Sequence, residues 1–206
     1  MDSRNYSNIA DATTFAVPTI STPLLDNFNR PDEGPPPSDA WISPLPGWLI
    51  NGSEWYWIKV VGNQCVPNPA AQAGGGLWAT PFGVDQQVYA SIVSVPYVGI
   101  SLLARVQDAN DYFNGASYQL YANNWGLDLY HNNPYAFLGH WASYNYFHVG
   151  DRFGLSCIGD SIRAFIDSGS GWFEAISVTN SLNMNPGYIG ADLRKAMDNF
   201  GGGEVT

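Results

Sequence analysis

The chain has 206 residues, 45% of them apolar and 15% aromatic, enough to bury a sizeable core in one large all-β domain. Charged residues make up only 13%, about half the usual ~25%, and the net charge is −10. This balance excludes a basic footprint for nucleic acid and argues against docking on anionic membranes, and no apolar run approaches the ~18 residues of a membrane-spanning helix.

In chain order, residues 1–21 are polar and show no sustained periodicity. They read as an N-terminal arm for attachment or subunit contact, ahead of a domain over 22–206. The first twenty residues have neither the basic start nor the apolar run of a signal peptide. Residues 31–46 form a turn-rich loop containing Pro35-Pro36-Pro37, where proline opposes helix and ladder bonding. Strand-like runs then recur at 48–51, 55–61, 77–80, 87–95, 100–107, 112–122, 125–131, 137–141, 153–158, 161–167, 172–178 and 187–191. They are short and punctuated by Gly, Pro, Asn and Asp, the pattern of an all-β sandwich or barrel.

Two runs show period two. Ile100, Leu102, Ala104 and Val106 share one face of their strand, with Arg105 on the other. Ile162, Ala164 and Ile166 share a face, with Arg163 on the other. Ile158-Gly159-Asp160 has hairpin chemistry. Residues 191–197 are predicted to make one short helical turn. The tripeptide Asp26-Asn27-Phe28 returns as Asp198-Asn199-Phe200, which suits first and last strands that lie side by side.

Candidate chemistry is sparse. No G-x-S-x-G elbow pairs a nucleophile with a base. His131, His140 and His148 are spaced too widely for a compact metal site. Cys65 and Cys157 leave two readings open, a single disulfide or two buried free thiols. The stretch from 125 to 146 is different. Trp125, Tyr130, His131, Asn132, Asn133, Tyr135, His140, Trp141, Tyr144, Asn145 and Tyr146 mix flat rings with hydrogen-bonding groups. Rings cover the CH faces of sugars, and amides, carboxylates and guanidinium groups bind the hydroxyl rim. The same residues also suit a core or a subunit interface. Arg105 and Arg163 join the glycan-binding candidates if their strands line a groove; pairing with a nearby Asp is the alternative.

DNFNRPD (26–32), the Trp48 strand, the long strand at 87–95, LLARVQDANDYF (102–113), GDRFGLSCIGDSIRAFID (150–167), GYIGADL (187–193) and DNFGGG (198–203) follow in a recognisable order. Over about residues 22–203 the chain resembles the concanavalin A-like lectin/glucanase superfamily. The likeness is to its laminin-G-like branch, in the versions found in phage minor tail, fibre and head-decoration proteins. This implies a two-sheet antiparallel jelly-roll sandwich, with sugars bound on a concave face or at edge loops. The hydrolases of the superfamily place paired carboxylates on one strand as E-x-D-x-x-E. Here Glu33, Glu54, Glu174 and Glu204 are the only glutamates, and none opens that pattern, so no catalytic residues are expected. Calcium is plausible in this fold, and Asp26, Asn27 and Asp198 would converge on one ion if the terminal strands pair. The resemblance, the lysine-poor surface and the missing signal peptide lead to the expectation of a virion protein released by lysis. Its partners would be other virion proteins, further copies of itself in a homo-oligomer such as a trimer, and host-surface glycans. A carbohydrate-binding module of a cellular or secreted system is the rival expectation, and a hydrolase the third.

Overall fold

The computed structural model describes residues 19–42, 49–50, 53–54, 57–68, 73–94, 99–109, 115–142 and 147–206. Among these there is no helix. The strands are β1 (Leu24–Asp26), β2 (Trp41–Ile42), β3 (Leu49–Ile50), β4 (Ser53–Glu54), β5 (Trp57–Val61) and β6 (Gln64–Asn68). They continue with β7 (Gly74–Trp78), β8 (Gln86–Ile92), β9 (Ile100–Val106), β10 (Ser117–Asn123), β11 (Gly126–Asn132) and β12 (Ala136–Ala142). The last are β13 (Arg152–Ile158), β14 (Ser161–Asp167), β15 (Phe173–Thr179), β16 (Tyr188–Leu193) and β17 (Met197–Glu204).

Two antiparallel sheets face each other. One runs β15-β14-β13-β8-β17-β6-β5, with β1 added on β17. The other runs β12-β11-β10-β9-β16-β7-β2. β3 and β4 pair separately. The core between the sheets is continuous and takes Val88, Leu155 and Ile162 from the first and Leu102, Leu120 and Leu129 from the second. This is the predicted all-β, two-sheet antiparallel jelly-roll sandwich.

The first and last strands pair as the repeated tripeptide implied, with Asp26 opposite Phe200. The two phenylalanines of the repeat meet on one indole: Phe28 and Phe200 lie 5.9 and 4.7 Å from the Trp41 ring. The β13–β14 hairpin turns over Gly159 and Asp160, with Gly159 at φ +53°, where glycine carries no Cβ penalty.

Three expectations are corrected. Residues 191–197 are no helical turn; they are the end of β16, a bend and the start of β17. The proline-rich loop does carry ladder bonds at its non-proline positions, because Glu33 bridges Val60 and β2 pairs with β7. On β9 the alternation slips. Tyr188 faces Val106 while Gly190 faces Leu103, so Ala104 and Arg105 together oppose a single residue, and Arg105 takes φ +52°. A β-bulge of this kind re-aims the side chains beyond it. Val106 therefore packs with Leu77 and Leu103, away from Leu102 and Ala104.

Of the arm, residues 1–18 lie outside the described residues, and 19–21 lie on the outer face of the eight-stranded sheet. Ile20 packs with Tyr89, Phe165 and Trp172. The Gln87 amide grips the backbone on either side of it, donating to the Thr19 carbonyl at 2.8 Å and accepting from the Ser21 N–H at 2.9 Å.

Candidate glycan platform

Register fixes which side chains share the outer face of the seven-stranded sheet. One row across β7, β16, β9, β10, β11 and β12 is Gly75, Asp192, Ser101, Tyr121, Asp128 and His140. The next is Leu77, Gly190, Leu103, Gln119, Tyr130 and Phe137. A bulge opposite Leu129 and Tyr130 shifts the β11–β12 register, which is why Phe137 and His140 emerge on the same side although they stand three positions apart.

On β10–β12 this face becomes an aromatic platform with a polar border. Tyr130 stacks with Tyr135 at 5.7 Å and meets Phe137 edge-on at 5.6 Å. Burial, then the nearby Asp128 charge, pushes the Tyr130 hydroxyl up to about 12, so it stays a neutral donor. Trp125 projects from the β10–β11 turn, which Asn123 shapes by accepting the Trp125 N–H at 2.7 Å. Trp125, Tyr135 and Phe137 are 56–73% exposed, so their rings are open to a ligand. Beside them His140 Nδ1 lies 2.6 Å from Asp128 Oδ1, and Gln119 donates to Ser101 Oγ at 2.8 Å.

Of the candidates named from sequence, Tyr130 and His140 belong to this platform, and Trp125 stands at the other end of β11, in the β10–β11 turn. Tyr144 and Tyr146 lie outside the described residues. Trp141 pairs with Leu127 and packs against the core. His131 is fully buried on the inner face, with Nδ1 at 2.7 Å from the Pro134 carbonyl and its ring edge-on to Tyr118, so no ligand reaches it. Arg105 is also fully buried. Its guanidinium donates to the carbonyls of Val84, Gly159 and Asn183 at 2.7–2.8 Å, and Asp85 stands 3.9 Å away. The β9 bulge turns it away from any groove. Arg163 sits on the other sheet, where it donates to Ser161 and Glu174 and lines a cavity of about 250 Å³ with Thr19, Ser21, Gln87 and Ser156. The structure thus separates Arg163 from the aromatic platform and adds Gln119, Tyr121, Asp128 and Phe137. Asp128 and Tyr130 alternate with inward Leu127 and Leu129, a signal present in the sequence; the β12 bulge was not.

The calcium candidates do not converge as an open ligand set. Asp26 accepts from the Phe28 N–H, from Trp41 Nε1 and twice from Arg30, at 2.6–3.0 Å. Those four bonds fill the lone-pair positions of a carboxylate. Asn27 accepts the Asn29 N–H, and Asp198 the Asn199 N–H. Among the described residues, no three of His, Cys, Asp and Glu are grouped to hold a metal. Cys65 and Cys157 are free and buried. β8 and β17 stand between their strands, so they are three strand spacings apart, roughly 14 Å. A disulfide needs Cα atoms within about 7 Å.

No family model and no curated protein matches the chain. Solved structures do. The chain is similar to the carbohydrate-binding module CBM66 from Bacillus subtilis, with 15% identity over 81% of this chain and 94% of that one and a TM-score of 0.52. It is similar to the Bacillus licheniformis beta-glucanase, with 9% identity over 88% and 97% and a TM-score of 0.60. It is also similar to the exoplasmic/lumenal domain of VIP36 in its Ca2+/Man3GlcNAc-bound form, with 11% identity over 81% and 84% and a TM-score of 0.54. At these identities the likeness establishes the fold, a concanavalin A-like jelly roll.

Proposed function

We propose that this chain is a non-catalytic carbohydrate-binding domain whose ligand lies on β10–β12. The observation that carries this reading is the grouping of exposed Tyr135 and Phe137 around Tyr130, bordered by the His140–Asp128 pair and Gln119, with exposed Trp125 at the other end of β11 extending the same edge of the sheet. Such rings cover a sugar's CH faces, and the polar border matches its hydroxyl groups. The likeness to a carbohydrate-binding module and to a mannose-glycan-bound lectin domain supports the ligand class. A binding role without hydrolysis is supported by the spacing of carboxylates. Asp128 and Asp192 share a row but stand three strand spacings apart, roughly 14 Å. Glycosidase pairs lie ~5–9.5 Å apart.

The setting we propose is a phage virion, with the domain as a head-decoration, minor tail or fibre subunit holding host-surface glycans. The support is the ordered series of motifs from 26 to 203, the acidic, lysine-poor composition and the strapping of residues 19–21 to the sheet. A module of a cellular or secreted system uses the same platform and is the alternative.

The test is a glycan array probed with full-length protein and with Trp125→Ala, Tyr135→Ala and Phe137→Ala. The expected result is binding that each variant weakens about tenfold or more while its melting temperature stays put. Glycan binding unmoved by all three, or no binding at all, overturns the platform. Co-sedimentation with phage particles tests the setting separately.

A further inference from the structure

We propose that the end of the sandwich around Arg105 is a docking surface for a protein partner that presents an apolar anchor flanked by Lys or Arg. This goes beyond the glycan reading and uses other residues.

Arg105 draws three loops onto one guanidinium through the carbonyls of Val84, Gly159 and Asn183. Further bonds knit the same loops. Gly159 N–H donates to Asp85 Oδ1, Val205 N–H to the Asp85 carbonyl, and Asn180 N–H to the Asp160 carbonyl, at 2.7–2.8 Å. These bonds tie the three loops to one another. Each tied loop turns a large apolar side chain outward. Val84, Ile158, Leu182 and Met184 are between 38% and 50% exposed. They lie one residue or none in sequence from carbonyls that share a single guanidinium, which gathers them at this end of the sandwich. Ile158 also lines the 250 Å³ cavity with Val205, which gives the patch a recess for an inserted side chain. An apolar patch with polar surroundings marks an interaction site.

Charge selects the occupant. Asp85, Asp160 and Glu204 stand around the patch; the Glu204 carboxylate lies over Gly83, next to Val84. The guanidinium of Arg105 is fully buried, and Arg163 is engaged by Glu174. A second copy would bring the same acids against these and be repelled. A segment with basic flanks would be attracted and steered in.

The probe is a displayed random dodecapeptide library selected on the full-length protein, with counter-selection on Leu182→Ser/Met184→Ser. Leu182 is half-exposed, and Met184 keeps its Sδ 3.8 Å from Arg105 Nη1, so circular dichroism, the melting temperature and retained glycan binding check that the double variant keeps its fold. Selected peptides should carry Leu, Met or aromatic anchors beside Lys or Arg. They should lose about tenfold in affinity to the double variant and weaken with added salt. Failure to enrich any peptide, enrichment without basic flanks, or affinity unchanged by the double variant overturns the proposal. Self-association abolished by the same variant also overturns it, since the occupant would then be a second copy. Loss of glycan binding in the platform variants leaves this result unaffected, so the two readings fail separately.

Discussion

Arg105 and Asn183 hold each other reciprocally: the guanidinium donates to the Asn183 carbonyl at 2.8 Å, and the Asn183 amide donates to the Arg105 carbonyl at 2.8 Å. Removing the guanidinium leaves buried carbonyls in three loops without a donor. Arg105→Ala is expected to lose about 3–5 kcal/mol in urea denaturation. Arg105→Lys should recover less than half, because one ammonium cannot reach three carbonyls that a planar fork spans. A lysine variant as stable as the parent would show that the loops hold themselves.

Two groups of carboxylates should give stability opposite pH slopes. Asp192 is buried with Oδ1 unpaired, and desolvation raises its carboxyl to about 8 against the weak pull of Arg194. Its folded value exceeds its unfolded one, so its contribution to stability falls as pH rises from about 4 to about 8. Asp192→Asn should remove that slope, gaining on the parent by a few kcal/mol more at the upper end than at the lower. For Asp26 and Asp167, burial alone would raise the carboxyl, but their bonds outweigh it. Asp26 is lowered by Arg30, Trp41 and the Phe28 N–H, and Asp167 by Arg152 and the N–H groups of Gly169 and Gly171. Their stabilisation is present above the unfolded value of about 3.9 and is lost as pH falls through the folded one. Denaturation midpoints across this range, for parent, Asp192→Asn and Asp26→Asn, check both limbs.

Gln87→Ala should free residues 19–21 without unfolding the sandwich, since it removes both backbone contacts that flank Ile20. Gly154→Ala should do the same by another route, because a Cβ there would come within 2.9 Å of Ile20 Cγ1. Amide exchange at Ser21 and proteolysis near Ile20 are expected to speed up in both variants. Unchanged exchange in both would place the hold on this segment elsewhere.

The two thiols should ignore a thiol reagent until the protein unfolds. Burial pushes Cys65 well above the usual thiol range and Cys157 up to about 12, so little reactive thiolate forms in the fold. Native protein is expected to titrate no thiol, and urea-unfolded protein two, with identical masses before and after reduction.

Much of the sandwich was legible because most strands keep a regular pleat. On β14 the inward set Ile162, Ala164 and Ile166 is as the alternation required. Where the pleat breaks, the sequence misleads. The bulge at Ala104–Arg105 moves Val106 to the other face and takes Arg105 inside, and a change of backbone conformation at one arginine leaves no mark in composition. His131 differs, since its spacing from Leu127 and Leu129 already placed it inward; its polarity hid that. The strand β17 was hard to see because Gly201–Gly203 lack strand propensity. Glycine is needed there: a Cβ on Gly201 would fall 2.1 Å from the Tyr89 ring.

That strand also sets the order in which the molecule can form. β17 lies between β8 and β6, in the middle of its sheet, yet it is the last strand of the sandwich to leave the ribosome. Until residues 197–204 emerge, β5–β6 and β8–β13–β14–β15 are separate half-sheets with open edges, and Phe200 is missing from the Trp41 cluster. Folding must therefore wait until this strand has been translated and proceed through contacts remote in sequence, a slow regime in which nascent chains depend on protection of their unpaired edges.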